Sequence, residues 1–159
     1  MKSVSKICLM AVLVSLFSFQ ASAQTTKYKC LLQMSNYVGE GAYVAVSLIN
    51  AKGEYEKTLY VMGDDKKWYT SLKEWHKFSS KKADVSAKTG ASVTGGDRSV
   101  TMFEIETAKI DKGYKIRFES AVEDQKYHVT DAEIPLTTAG ITEKVEGKGY
   151  IRYVKLSNI

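Results

Sequence analysis

Along most of the chain after residue 27, apolar residues recur at every second position, the period of a strand with one face on a core. Tyr28, Cys30, Leu32 and Met34 share one face of a first predicted strand, Tyr28 to Tyr37. Ala42 to Ile49 is apolar at nearly every position, so a strand there is buried on both faces. Asn50-Ala51-Lys52-Gly53 is turn chemistry. It leads into a third strand, Tyr55 to Met62, and the two strands should form a hairpin. The period then changes. Trp68, Leu72, Trp75 and Ser79 fall at i, i+4, i+7 and i+11, with Phe78 beside them and Lys66, Lys67, Lys73, Glu74 and Lys77 on the other side. One amphipathic helix over 65–79, capped by Asp64 or Asp65, is predicted. Both tryptophans lie on its apolar stripe and should dock it onto the sheet.

Ser79 to Asp97 has no period. These 19 residues are rich in Ser, Lys, Thr, Gly and Ala and include Thr89-Gly90-Ala91-Ser92 and Gly95-Gly96. A structureless connection of that length is uncommon in a compact domain and is usually functional or disordered, which marks 80–97 as the place to look for function. Alternation resumes at Ser99 to Glu106, with Val100, Met102, Phe103 and Ile105 as its apolar set. It continues at Tyr114 to Val122 (Tyr114, Ile116, Phe118, Ser120), Tyr127 to Leu136 and Gly149 to Leu156. Pro135, the single proline, should mark an edge or a strand end. Seven strands and one helix after the third strand predict a mainly β domain, an immunoglobulin-like antiparallel sandwich.

The first residues follow a different logic. Lys2 and Lys6 precede an apolar run from Ile7 to Phe19, and Ala21-Ser22-Ala23 is a small-x-small cleavage site. The run is 13 residues long, short of the roughly 20 that span a bilayer as a helix. A secretory signal over 1–23 is therefore expected, leaving one domain over 24–159 in a periplasmic or otherwise extracytoplasmic space, with no stable membrane insertion. Cys8 sits inside the apolar run rather than after it, which argues against a lipid anchor. It would leave with the signal, so Cys30 has no partner for a disulfide and reads as a small buried apolar residue.

Composition narrows the function by exclusion. Without Lys2 and Lys6 the chain carries 21 basic and 18 acidic residues, a net charge of +3 spread along its length. Nucleic-acid binding would need a concentrated basic stripe. His76 and His128 have no Cys or second His at ligand spacing, so no metal site is expected. No nucleophile elbow, P-loop or dinucleotide fingerprint is present. Glu119 and Glu123 flank a strand end, but nothing places them as an acid/base pair. A redox carrier or binding domain fits better than a stand-alone enzyme.

Several segments together resemble the predicted periplasmic proteins of the domain of unknown function 2271 family. They are Ala42-Tyr43-Val44-Ala45-Val46, Asn50-Ala51-Lys52-Gly53, Thr58-Leu59, and Lys67-Trp68 with Leu72 and Trp75. Further along come Thr89-Gly90-Ala91-Ser92, Gly95-Gly96, and Gly113-Tyr114 leading to Glu119-Ser120-Ala121. In related exported proteins the small-Gly-Ala-Ser/Thr segment resembles the acceptor motif of flavin transferases, which join FMN through its phosphate to the last hydroxyl, here Ser92. The resemblance therefore implies a cofactor region of Lys88, Thr89, Gly90, Ala91 and Ser92, with Lys88 and Arg98 offsetting the phosphodiester charge. It also implies a flavin transferase and a membrane reductase as partners, and Trp75, Phe78 and Tyr69 as groups beside the ring. The chain departs from the pattern at two places. Ser86 stands where the motif has an acidic residue, with Asp84 two positions further back, and Phe103-Glu104-Ile105 stands where the family has Trp-Asp-Gly. A cofactor-free immunoglobulin-like module binding a protein or surface polymer is the other reading, and the ten tyrosines suit it.

Overall fold

The structure is a computed structural model that describes residues 23–63, 65–81 and 88–159. The expected secretory signal therefore lies, apart from Ala23, outside the described residues. The chain forms two facing sheets. β1 (Thr25–Met34) pairs antiparallel with β5 (Arg98–Glu106) on one side and β9 (Ile151–Asn158) on the other, and the short β8 (Lys144–Glu146) extends β9. In the second sheet β2 (Tyr43–Ile49) lies between β3 (Tyr55–Met62) and β6 (Lys115–Ala121). β7 (His128–Pro135) pairs with β6 at one edge, and β4 (Lys88–Gly90) runs parallel to β3 at the other. The result is a β-sandwich with strand orders β5-β1-β9-β8 and β4-β3-β2-β6-β7. Its seven long strands are the seven predicted from alternation, with ends shifted by a few residues.

The alternating faces meet where the sequence put them. Tyr28, Cys30, Leu32 and Met34 pack with Val44, Val46, Leu48, Ile116 and Phe118 between the sheets. β2 is buried on both faces because Ala45 turns away from this core into a second cluster with Val61, Leu72, Trp75 and Ala121. Cys30 is unpaired and fully buried, and burial pushes its thiol up to about 12. The Asn50 side chain caps the β2–β3 hairpin by accepting from the amides of Lys52 and Glu54 at 2.9 and 3.0 Å. Pro135 is the last residue of β7, itself an edge strand.

Three expectations change. The apolar set of β5 divides: Phe103 and Ile105 enter the core, whereas Val100 and Met102 are 51% and 45% exposed on the opposite face, as an unbroken period of two requires. The stretch 80–97 is not structureless. It contains β4 and then a bridge between Val93 and Ala42, whose amides and carbonyls exchange bonds of 2.8 and 3.0 Å. Three-residue strands leave no period to read.

The extent of the single α-helix is the third change. The segment is a 3-10 helix, Lys66–Ser71, followed by α1, Lys73–Ser79. Leu72 separates them at φ −85°, ψ 70°, outside the helical region. Asp65 caps the first piece, its carboxylate accepting from the Lys67 amide at 3.1 Å. The break follows from packing. Leu72 and Trp75 are both fully buried against β2 and β3, and a straight helix would have carried Trp68 along the same stripe. Instead Trp68 is half-buried and turned to the surface, so Trp75 alone of the two tryptophans docks the cover onto the sheet.

Candidate functional site

The helical cover is fastened to the sheet by one buried carboxylate. Glu119 on β6 projects to the outer face, away from the central core, and is 0% exposed. It accepts hydrogen bonds from the hydroxyls of Tyr55 and Tyr127, each at 2.5 Å, and from the Trp75 amide at 3.2 Å. The Tyr127 hydroxyl in turn accepts from the Glu74 amide at 3.0 Å. α1 has no side-chain cap of its own. Its orphan amides are satisfied from the sheet instead, with the negative charge where the helix dipole favours it. The Trp75 indole donates to Thr58 Oγ1 at 2.9 Å, and Phe78 stacks on Tyr55 with ring centroids 5.5 Å apart. Arg117 lies over the Tyr55 ring and pairs with Glu133, which also holds Lys115.

Burial pushes the Glu119 carboxyl above the ordinary carboxylate range, against the opposing pull of its hydrogen bonds and of Arg117. Burial also raises the phenols of Tyr55 and Tyr127, and their bonds to Glu119 raise them further. The folded state thus holds the Glu119 proton more tightly than the unfolded chain does. The associated stability is fully present below the unfolded carboxyl value of about 4.3, and it is lost as pH rises through the raised folded value. Glu119→Gln cannot ionise, so its stability relative to wild type should rise across that window. Urea titrations at a series of pH values check this, and a difference that stays constant with pH contradicts it.

This cover sets one wall of the region around Ser92. β4 holds Thr89 and Gly90 against Val61 and Met62, and the Gly90 carbonyl accepts from the Gly63 amide at 2.6 Å. A side chain at Gly90 would meet the Tyr60 hydroxyl at 2.4 Å, so a larger residue there would have to displace the end of the Tyr60 side chain. Two residues later Val93 is buried, with its carbonyl accepting from the Tyr37 hydroxyl at 2.7 Å as well as from Ala42. Ala91 and Ser92 are therefore an exposed two-residue arch fixed at both ends. Gly41 makes room beneath it, because a Cβ there would lie 2.5 Å from Ser92 Oγ.

Ser92 borders two depressions. The first, about 160 Å3, lies between the arch and the cover and is walled by Tyr43, Trp68 and Ser71, with Glu40 and Glu123 at its rim. The second, about 260 Å3, includes Tyr60, Gly90, Ala91, Asp97 and Arg98. Arg98 Nε donates to Gln33 Oε1 at 3.1 Å, and the Gln33 amide nitrogen bonds the carbonyls of Gly96 and Asp97. A third cavity of about 470 Å3 takes in Lys66, Tyr69, Trp75, His76 and Thr89, but not Ser92.

The expected site residues are thus partly brought together. Ser92, Ala91, Gly90 and Arg98 share one depression, whereas Thr89 faces another. Lys88 contributes its backbone to β4, and its side chain lies outside the described residues, as do Asp84 and Ser86. Of the proposed ring-side groups, Trp75 is buried under the cover and neither Tyr69 nor Phe78 borders Ser92. Trp68 and Tyr43 do, and sequence reasoning missed that role because it assumed an unbroken helix. Phe103 and Ile105 are core residues. Glu123 is exposed while Glu119 is buried, so the two do not form a pair. Among the described residues no cluster of His, Cys, Asp and Glu has metal-ligand geometry. No helix among them is long and apolar enough to cross a membrane.

Comparison with known proteins assigns the family: residues 25–153 match DUF2271, described as a predicted periplasmic protein. The chain belongs to the DUF2271 family. The match covers the helical cover, the Ser92 arch and both sheets up to the first residues of β9, so the candidate site lies within the DUF2271 domain. No curated protein and no solved structure matches this DUF2271 chain.

Proposed function

We propose that this DUF2271 protein is an extracytoplasmic electron carrier with FMN joined through its phosphate to Ser92. The observation that carries the reading is the arch: Ala91 and Ser92 are exposed between two backbone anchors, the β4 pairing and the Val93 bridge, with the Ser92 hydroxyl over Gly41 and small residues, Ala91 and Gly90, before it. An enzyme that must close around an acceptor hydroxyl needs that exposure. Arg98 shares a depression with Ser92 and Asp97, and its charge could offset that of a phosphodiester there. Attachment requires FMN with a leaving group on its phosphate, as in a flavin dinucleotide. The Ser92 hydroxyl loses its proton, its oxygen bonds to phosphorus, and the pyrophosphate bond breaks with the nucleotide taking the electron pair. A flavin transferase would supply this step, and a membrane reductase would supply electrons. When bound, the flavin provides one- and two-electron redox chemistry, and the protein positions it.

Co-expression with a flavin transferase should give a band that fluoresces on a denaturing gel, and Ser92→Ala should abolish it completely. A dark wild-type band overturns the reading. One observation favours the cofactor-free binding module: among the described residues nothing covers the outer face of the four-stranded sheet. Cross-strand register places Leu31, Val100, Met102 and Tyr153 there beside Lys27, Lys29, Lys144 and Lys155, with Glu104 and Glu146 on the same face. Exposed apolar surface among charges in which cations predominate suits a partner of net negative charge, and intact mass from the native host without an adduct would favour it.

A further inference from the structure

Trp68 is the aromatic residue that the break at Leu72 removes from the apolar stripe and turns to the surface. Its backbone is tied down, and a cation lies over its ring. The Ser71 hydroxyl donates to the Trp68 carbonyl at 2.6 Å, and the Lys67 ammonium lies 5.2 Å from the indole centroid while pairing with Asp65 at 3.0 Å. Behind it, Tyr69 donates to the Gly63 carbonyl at 2.9 Å and packs edge-on against Trp75 at 5.1 Å. Opposite, Tyr43 meets Tyr69 edge-on at 6.3 Å. Two aromatic side chains, Trp68 and Tyr43, thus wall a depression that Ser71 and Ser92 also line, with Glu40 and Glu123 at its rim.

The depression is smaller than the roughly 300–1,000 Å3 of sites that engulf a ligand. It suits one face of a flat aromatic ring, leaving the other face and an edge in solvent. Its charges are the Glu40 and Glu123 carboxylates with Lys67 nearby, which makes it a poor seat for a phosphate. Arg98 stands in the depression on the other side of the arch. Resting on the reading of Ser92 as an FMN acceptor, we infer that Trp68 is the stacking platform for the isoalloxazine ring, with Tyr43 as its side wall. Offset stacking on an indole is favourable and geometrically specific. It also leaves the outer ring edge open to a redox partner, as a carrier requires.

Stacked tryptophan quenches flavin fluorescence, so the inference has a readout separate from activity. The flavin-loaded protein should be dim when native and brighten several-fold on denaturation. Trp68→Leu should carry as much flavin, measured by absorbance after denaturation, yet be nearly as bright native as denatured, and Trp68→Phe should fall between. Trp68 is half-exposed, and circular dichroism checks that the variants fold. Equal quenching in wild type and Trp68→Leu overturns the inference while leaving attachment intact. So does quenching lost on Tyr69→Leu instead, which would place the ring in the cavity beside Thr89. A wild-type chain without flavin overturns attachment itself, and the platform with it.

Discussion

Replacing Trp75 with alanine is expected to destabilise the protein by about 3–5 kcal/mol, the range for emptying a buried tryptophan site. The indole is 0% exposed and fills the space between α1 and the outer face of β2 and β3. Its loss removes the contact with Tyr69 and leaves Thr58 Oγ1 without its donor. The cavity cannot close easily, because the cover is held on one side by Glu119 and on the other by the hydrogen bond from Tyr69 to Gly63. Trp75→Phe should cost clearly less, since most of the apolar volume stays and only the indole donor is lost. Urea denaturation checks both, and a shift in midpoint with an unchanged slope identifies a stability effect rather than an altered unfolded state. If the alanine variant loses less than about 1 kcal/mol, a typical value for an ordinary point substitution, the second cluster does not fasten the cover as described.

The same residue shows where sequence reasoning succeeds and where it stops. Most of the seven long strands were legible because they bury one face, which writes a period of two into the chain. β2 was legible as doubly buried because the cover packs on the far side of its sheet. β4 and β8 were not, since each is only three residues long and is stabilised by partners distant in sequence. The helix was legible as an apolar stripe but not as two pieces, because the stripe counts apolar positions and cannot register the non-helical ψ of Leu72. That difference moved Trp68 from the docking face to the edge of the Ser92 depression.

The candidate site was half legible. The Thr89–Ser92 segment stood out by composition, but what crowds its glycine is the Tyr60 hydroxyl, 30 residues earlier in the chain. Neither Gly41 beneath Ser92 nor the bridge from Val93 to Ala42 has a local signal. Glu119 and Asp131 were equally silent: an acidic residue inside an alternating strand reads as a solvated position until the structure reveals what covers it. These carboxylates explain how a sandwich without a disulfide fixes its two least regular parts. Glu119 binds the helical cover to the five-stranded sheet, and Asp131 closes the opposite strand edge.

Asp131→Ala should therefore be the second severe substitution, with a loss of about 3 kcal/mol or more, because each buried donor left without an acceptor costs roughly 1–3 kcal/mol. Asp131 lies on β7, fully buried, and its two carboxylate oxygens accept four bonds. One takes the amides of Lys148 and Gly149 at 2.9 and 2.7 Å, and the other takes the Ile151 amide at 3.1 Å and the Ser120 hydroxyl. Lys148 and Gly149 belong to the turn that joins β8 to β9 in the other sheet and Ile151 opens β9, so this side chain ties the two sheets together at one end. The Lys148 amide also bonds the Asp131 carbonyl at 2.9 Å, and the donors that alanine strands are those of Gly149, Ile151 and Ser120. A carboxylate is the right group for the task, since it offers acceptors alone and every partner here has a hydrogen to give. Asparagine replaces one oxygen with a second set of donors. Asp131→Asn can thus keep one half of the arrangement and must oppose the other, giving an intermediate loss. Ser120→Ala, which removes one partner and leaves the acceptor three others, should be mildest. Hydrogen exchange provides the local check: the Ile151 amide should lose protection in the alanine variant before the centre of β1 does. Asparagine matching aspartate in both stability and exchange would show that the tie does not depend on a carboxylate.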